Sequence, residues 1–283
     1  FPQVVPARSG EDFFLDESNG FWRVITKIDA ASSHSEVRDA EHAKEAGSVL
    51  GCFHRLISDI DSDGLYDTLP GYHVCPGYLA RYDRTLGSVG LASRGQGQSR
   101  EVRRLAGFVD ERRRLAAVLE DAVADGSLRM QPVHGDPKVD NIMIDDFTGK
   151  GIGMVDLDTV KPGLIHYDFG DALRSVCNPA GEDATDLKEV VFDVDLCRAF
   201  VKGYMQETGD CLTDADRHYL YAAVHLLTFE LGLRFFEDYL AGDEYFKVRF
   251  EEHNLNRARV QFKLCESIEM NERAIRDAVG PGA

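Results

Sequence analysis

Residues 133–171 read VHGDPKVDNIMIDDFTGKGIGMVDLDTVKPGLIHYDFGD. A tight polar loop at 134–141 leads into a short apolar run at 142–144. A Thr-Gly-Lys-Gly turn follows at 148–151, then a second apolar run at 152–155 that ends on Asp156. Two β-prone runs joined by a Gly-containing turn predict a hairpin. Pairing the runs brings Asp136, Asn141 and Asp156 to one mouth of it.

Two acids and an amide at one place suit phosphoryl transfer, which needs a carboxylate near the acceptor hydroxyl and hard oxygen ligands for Mg²⁺. Asp136, Lys138 and Asn141 stand at offsets zero, two and five within His134-Gly135-Asp136-Pro137-Lys138-Val139-Asp140-Asn141. The spacing resembles the catalytic loop of protein kinases, H-R-D-x-x-x-x-N. Gly after the His resembles the aminoglycoside and choline phosphotransferase branch of the kinase-like fold, and Asp156 then matches the metal-binding Asp of the following loop. Taken singly, H-G-D is a turn sequence and Asn141 a cap residue; the conjunction carries the reading. The resemblance implies an α+β, protein-kinase-like bilobal fold with ATP and Mg²⁺ as cofactors. Its C-terminal lobe (31–283) would be mostly helical and carry the catalytic hairpin and acceptor site. The small lobe would be represented only by its last β-hairpin and hinge (1–30).

At 283 residues the chain can bury a sizeable core. Its hydrophobic content of 43% and charged content of 29% are those of a soluble globular protein. No apolar run approaches the ~20 residues of a membrane-spanning helix, and no charged-then-apolar leader is seen, so neither membrane nor export is expected. The net charge of −17 argues against nucleic acid as partner. An anionic nucleotide then needs a locally positive or metal-filled site. Six scattered cysteines without C-x-x-C predict reduced thiols in a cytoplasmic protein. A sulfatase reading fails on chemistry, because Cys177-Asn178-Pro179-Ala180-Gly181 lacks the Arg of C-x-P-x-R.

In chain order, FPQVVPA and FWRVITKI predict an antiparallel hairpin with a Ser-Asn-Gly turn between them, followed by a linker at 29–35. In a kinase-like chain that linker corresponds to the hinge, and the backbone of Thr26, Lys27, Ile28 and Asp29 would hydrogen-bond adenine. No Gly-rich strand–turn–strand or strand Lys precedes Phe1. The chain is therefore expected to lack the front of its small lobe, the alternative being a degraded kinase. The Gly-rich 87–98 reads as a flexible loop.

Apolar spacing predicts a helix over 35–60 capped by Ser35, with His54 as a packed core histidine. A turn-rich loop at 61–71 follows, then a short helix with substrate contacts within 72–86, and a helix over 100–124 whose Arg112, Arg113 and Arg114 form a solvated face. Gly126 ends that helix. Pro162-Gly163 reads as a turn, and Asp168 as the N-cap of the next helix and its tie to the catalytic loop. Helices are then expected over 187–208, 213–240 and 245–278, with Thr213 and Asp216 as a capping pair.

Three further stretches, VDLDTVKPGLIHYDFGDALR, LLTFELGLRFFEDYLAGDEYFKV and EEHNLNRARVQFKL, are similar to bacterial N-acetylhexosamine 1-kinases. That resemblance implies transfer of the ATP γ-phosphate to the anomeric hydroxyl of GlcNAc or GalNAc. Asp136 would accept or orient the hydroxyl proton, Lys138 would sit on the γ-phosphate, and Asn141 and Asp156 would hold Mg²⁺. Arg234 and Tyr245 resemble the sugar-contacting pair; on the residues alone, Arg234 could instead pair with Glu237 or Asp238, and Tyr245 could be core. Asp158 has three readings: metal ligand, acceptor contact or structural acid. The Gly135 and Pro137 positions often carry Asn and Thr in that family, which leaves the sugar open and the reaction class unaffected. The expected partner is a small-molecule sugar, with the protein a monomer or weak dimer. A kinase of another small alcohol (aminoglycoside, choline, homoserine) and a non-catalytic binding module are the alternatives; the retained acid and amide set argues against the second.

Overall fold

The structure, a computed structural model, describes residues 2–89 and 96–280. An N-terminal ribbon comes first, with β1 (Val4–Val5) paired antiparallel to β4 (Val24–Ile25), and β2 (Phe14–Leu15) to β3 (Phe21–Trp22). This is the expected hairpin. The expected linker is not featureless: β5 (Ala31–Ser32) lies inside it and pairs with a strand of the catalytic hairpin.

Helix α1 (Ala40–Ile57) starts later than expected, because Asp39 and not Ser35 caps it, accepting from the N–H of His42 at 2.8 Å. Then come α2 (Cys75–Val89) and α3 (Gln96–Arg112). Of the Gly-rich segment expected as a loop, 87–89 and 96–98 are helical, and 90–95 lies outside the described residues. The helix expected over 100–124 is interrupted by a 3₁₀ turn at Arg113–Ala117 before α4 (Val118–Ala124). Of the expected solvated face Arg114 is exposed, whereas Arg112 and Arg113 clamp that break. Arg112 forks onto Glu269 at 2.7 and 2.8 Å, and Arg113 onto Asp83.

Strand β6 (Gln131–Val133) precedes the catalytic loop, and β7 (Ile142–Asp145) and β8 (Gly151–Met154) form the predicted hairpin. The Pro162-Gly163 pair expected as a turn belongs to β9 (Lys161–Gly163), antiparallel to β6 with Pro132 opposite Pro162. Two prolines facing each other in a two-stranded ribbon remove no hydrogen bond that a third strand would need.

Helix α5 (Ile165–Val176) begins before Asp168, with Leu164 at the cap and no side-chain cap bond. Asp168 is not the cap because its carboxylate is committed to the catalytic loop. Helix α6 (Val194–Thr208) starts at its Asp193 cap, not at 187. The expected Thr213–Asp216 capping box opens α7 (Asp214–Ala241). The helix expected over 245–278 is α8 (His253–Met270) and α9 (Glu272–Val279). It starts late after Glu252 in the left-handed region and breaks at Asn271.

The core has two halves. One packs α1, α5 and α6 on the hairpin through residues such as Leu50, Ile142, Phe169 and Phe200. The other packs α2–α4 on α7 and α8 through Tyr82, Leu105, Phe229 and Phe262. Helices α1 and α6 meet backbone to backbone. A Cβ on Gly47 would lie 2.0 Å from the Phe200 carbonyl oxygen, and one on Gly203 2.0 Å from that of Lys44. Among the described residues no helix is long and apolar enough to cross a membrane.

Candidate active site

The hairpin aims its groups by alternation. Ile142, Ile144 and Met154 are buried beneath it, and the register pairs Ile142 with Met154. Just past that pair, the Val155 N–H donates to the Asn141 carbonyl at 2.9 Å. Asn141 and Asp156 therefore leave the ribbon at the same end, as expected. Asn141 is buried, whereas Asp156 is exposed and held at φ 61°. Asp tolerates that left-handed conformation better than a branched residue would.

The catalytic loop is braced from below by Asp168, which is fully buried. It accepts from the backbone N–H of His134 at 2.6 Å and of Gly135 at 2.9 Å, and lies 2.9 Å from His54 Nε2. Burial pushes this carboxyl up, but His54, the nearby His134 and the Gly135 N–H outweigh it, and the pKa lies below the ordinary 3.8. His54 also meets the Tyr204 hydroxyl at 2.9 Å, so it is the packed core histidine expected. The His134 ring accepts from the Asp136 N–H at Nδ1 (3.2 Å), which leaves Nε2 to donate to the Val155 carbonyl at 3.0 Å. That ring thus joins the loop to the strand that carries Asp156. Gly135 sits at φ +86°, and a Cβ there would lie 2.7 Å from the Thr159 carbonyl oxygen. A side chain is excluded at this position twice over.

On this frame Asp136 and Lys138 meet at 2.6 Å, with both side chains partly open to solvent. Burial pulls the Lys138 ammonium down, yet the hydrogen bond and charge of Asp136, then Asp156 and Asp140, leave it raised. Asn141 Nδ2 donates to the Asp136 carbonyl at 2.8 Å and lies 3.3 Å from its Oδ2. With the amide nitrogen so engaged, the amide oxygen is the atom left for a cation. Among the described residues no cluster of three or more His, Cys, Asp or Glu could hold a metal. One amide oxygen and one exposed carboxylate fit Mg²⁺ shared with phosphate oxygens, which typically takes one or two protein ligands.

Arg234 and Tyr245 line one cavity of about 450 Å³, together with Tyr72, Tyr78 and Arg81. Arg234 is buried and stacks at 5.0 Å on Tyr72, 5.0 Å on Tyr78 and 5.5 Å on Phe246. It pairs with neither Glu237 nor Asp238. Glu237 is taken by Arg81 and Thr85 at 2.9 and 2.8 Å, and Asp238 by the N–H groups of Tyr245 and Phe246. Tyr245 is not core, being 68% exposed. The Tyr72 hydroxyl is raised by burial first, then by the charges of Asp171 and Asp136, against the lowering effect of Arg234. Tyr72 thus lines the cavity and feels the charge of Asp136 as well. Sequence reasoning placed contacts within 72–86 without naming Tyr72, Tyr78 or Arg81. A Tyr-His-x-x-x-x-Tyr-x-x-Arg run has no motif to mark it, and its partners lie some 150 residues downstream.

The remaining expected residues lie on the N-terminal ribbon or against it. Asp158 is exposed and pairs with Arg23 of that ribbon. Thr26 is committed to the ribbon: its N–H donates to the Gln3 carbonyl and its hydroxyl accepts from the Gln3 N–H, both at 2.9 Å. Residues 27–29 lead into β5, which meets the catalytic hairpin at its turn end, Ala31 opposite Asp145. At ~3.3 Å per strand residue, that is roughly 13 Å from Asn141.

A family model described as a phosphotransferase enzyme family (APH) matches residues 2–206. An aminoglycoside phosphotransferase from Alicyclobacillus acidocaldarius superposes with a TM-score of 0.70 at 12% identity, over 99% of this chain and 77% of that one. A choline/ethanolamine kinase family protein from Mesorhizobium loti gives 0.55 at 16% identity, over 98% and 76%. A choline kinase from Cryptosporidium parvum gives 0.58 at 11%, over 97% and 75%. At these identities the superpositions show a shared kinase-like fold, α+β with a helical C-terminal lobe. The family model covers well over half of the sequence, including the whole catalytic hairpin, and the chain belongs to the phosphotransferase enzyme family (APH).

Proposed function

We propose that this protein is an ATP- and Mg²⁺-dependent kinase that moves the γ-phosphate to the anomeric hydroxyl of an N-acetylhexosamine. Asp136 orients the hydroxyl and takes its proton, Lys138 contacts the transferred phosphate, and Asn141 and Asp156 hold the metal. When bound, Mg²⁺ offsets charge on the phosphate oxygens. The modest basicity of a carboxylate suffices, because the transition state is loose and charge stabilisation dominates. Residues 1–30 belong to the nucleotide-side lobe, as its last hairpin and hinge, and 31–283 form the catalytic lobe. Since the Thr26 N–H is already donated, the adenine contacts fall to the backbone of Lys27, Ile28 and Asp29. Asp158 is a structural acid in this reading, latching the ribbon.

The observation that carries the acceptor class is the charge of the cavity that Tyr72, Arg234 and Tyr245 line. Its lining includes Arg81 and Arg234 and no carboxylate. With no carboxylate on its lining, the cavity offers a polycationic aminoglycoside no counter-charge. The faces of Tyr72 and Tyr78, which could otherwise cradle a quaternary ammonium, are already covered by Arg234. An N-acetyl carbonyl and ring hydroxyls suit the arginine fork, and Tyr245 at the mouth can stack on a sugar. The test is a coupled ADP-release assay across GlcNAc, GalNAc, choline, ethanolamine and an aminoglycoside. The N-acetylhexosamines should be turned over to the 1-phosphate. Turnover of only the cationic acceptors would overturn this reading.

A further inference from the structure

Arg234 is the buried cation of the acceptor cavity, yet its nearest acid does not hydrogen-bond it. Glu230, one helical turn earlier on α7, stands 3.8 Å from Nη1, beyond hydrogen-bond length. Glu230 is itself 1% exposed. His73 donates to it, Nδ1 to Oε1, at 3.0 Å. Its Oε2 and the His73 Nε2 have no hydrogen-bond partner. The His73 ring packs on Tyr72 with centroids 4.0 Å apart, and Tyr72 in turn stacks on Arg234. The four side chains close a circuit, Arg234 to Glu230 to His73 to Tyr72 and back. His73 enters it from a left-handed backbone at φ 65°. A buried acid and a buried guanidinium are each costly alone. Placed near each other without a direct hydrogen bond, they offset each other's charge, and the guanidinium donors are not consumed by Glu230.

We propose that Glu230 and His73 are a positioning pair for Arg234, fixing its guanidinium so that its donors meet an oxygen of the acceptor sugar. The inference rests on the acceptor-cavity reading above. Neither residue lines the cavity, so neither is expected to touch substrate. Their effect passes through Arg234 and falls on acceptor affinity.

The experiment is a double-mutant cycle read by steady-state kinetics, varying acceptor and ATP separately. Glu230→Gln keeps the shape and an acceptor for His73 but removes the charge. It should raise the acceptor KM roughly tenfold, with kcat and the ATP KM close to wild type. Arg234→Gln should raise the acceptor KM at least as much, and the double variant should be no worse than Arg234→Gln alone. Glu230→Asp, which restores the charge, should recover part of the loss. If Glu230→Gln does not fold, His73→Asn carries the same cycle, since Asn tolerates the left-handed backbone. Additive losses, or equal rises in both KM values, would overturn the positioning role while leaving the cavity reading intact. An unchanged acceptor KM in Arg234→Gln would instead overturn the cavity reading itself.

Discussion

The catalytic loop and the N-terminal ribbon sit side by side and are held in opposite ways. The loop rests on a fully buried carboxylate, Asp168, that gathers two backbone N–H groups and an imidazole. The ribbon exposes apolar side chains, among them Phe14, Phe21, Trp22 and Val24 at 57–63%. It meets the catalytic segment through a solvent-exposed ion pair, Arg23 with Asp158. The difference locates rigidity. The groups proposed to act on the acceptor and the metal stand on a frame fixed by burial, whereas the ribbon is joined by contacts that water can replace.

Perturbing each region should separate them. The largest loss is expected at Asp168→Asn, which sets an amide where three donors converge. Breaking such a buried pair costs about 3–5 kcal/mol, readable as a fall in the urea midpoint. The pH dependence has a definite sign. The Asp168 pKa is depressed on folding, so its contribution is present above its ordinary pKa of 3.8 and lost as the pH falls through the lower folded value. Wild type should lose stability in that window, and the variant should show a flatter profile there. A steep profile retained in Asp168→Asn would assign acid sensitivity to other carboxylates.

Next in size is Gly203→Ala, which drives a methyl into the Lys44 carbonyl and forces α1 from α6. Overpacking of this kind costs typically ~1–3 kcal/mol, and thermal unfolding measures it. The smallest effect is expected at Arg23→Ala. An exposed pair contributes ~0–1 kcal/mol, so the melting temperature should barely move. A loss as large as that of Asp168→Asn would dissolve the contrast between ribbon and loop.

Legibility from sequence follows the same division. The hairpin 142–154 and the convergence of Asn141 and Asp156 were readable, because alternation, a Gly turn and fixed offsets are local signals. The tie from Asp168 to the loop was expected as well, though joined to a cap position that Leu164 takes instead. What escaped depends on distant partners. Pro162-Gly163 has turn chemistry, yet pairs with 131–133, some 30 residues away. Arg112 looks like part of a surface run until Glu269 is known to face it. Glu230 and His73 lie on a helix and in a turn-rich loop with nothing to mark them as neighbours. The helix ends moved because Asp39 and Asp193 offer stronger caps than periodicity can reveal.

The central claim is that Asp136, Lys138, Asn141 and Asp156 form one phosphoryl-transfer centre. Acceptor-dependent ADP release in the presence of Mg²⁺, compared between wild type and Asp136→Asn, tests it most directly. The account predicts turnover by the wild type and a fall of about 10²–10⁴-fold in the variant, at unchanged melting temperature. Turnover in Asp136→Asn close to the wild-type rate would contradict it.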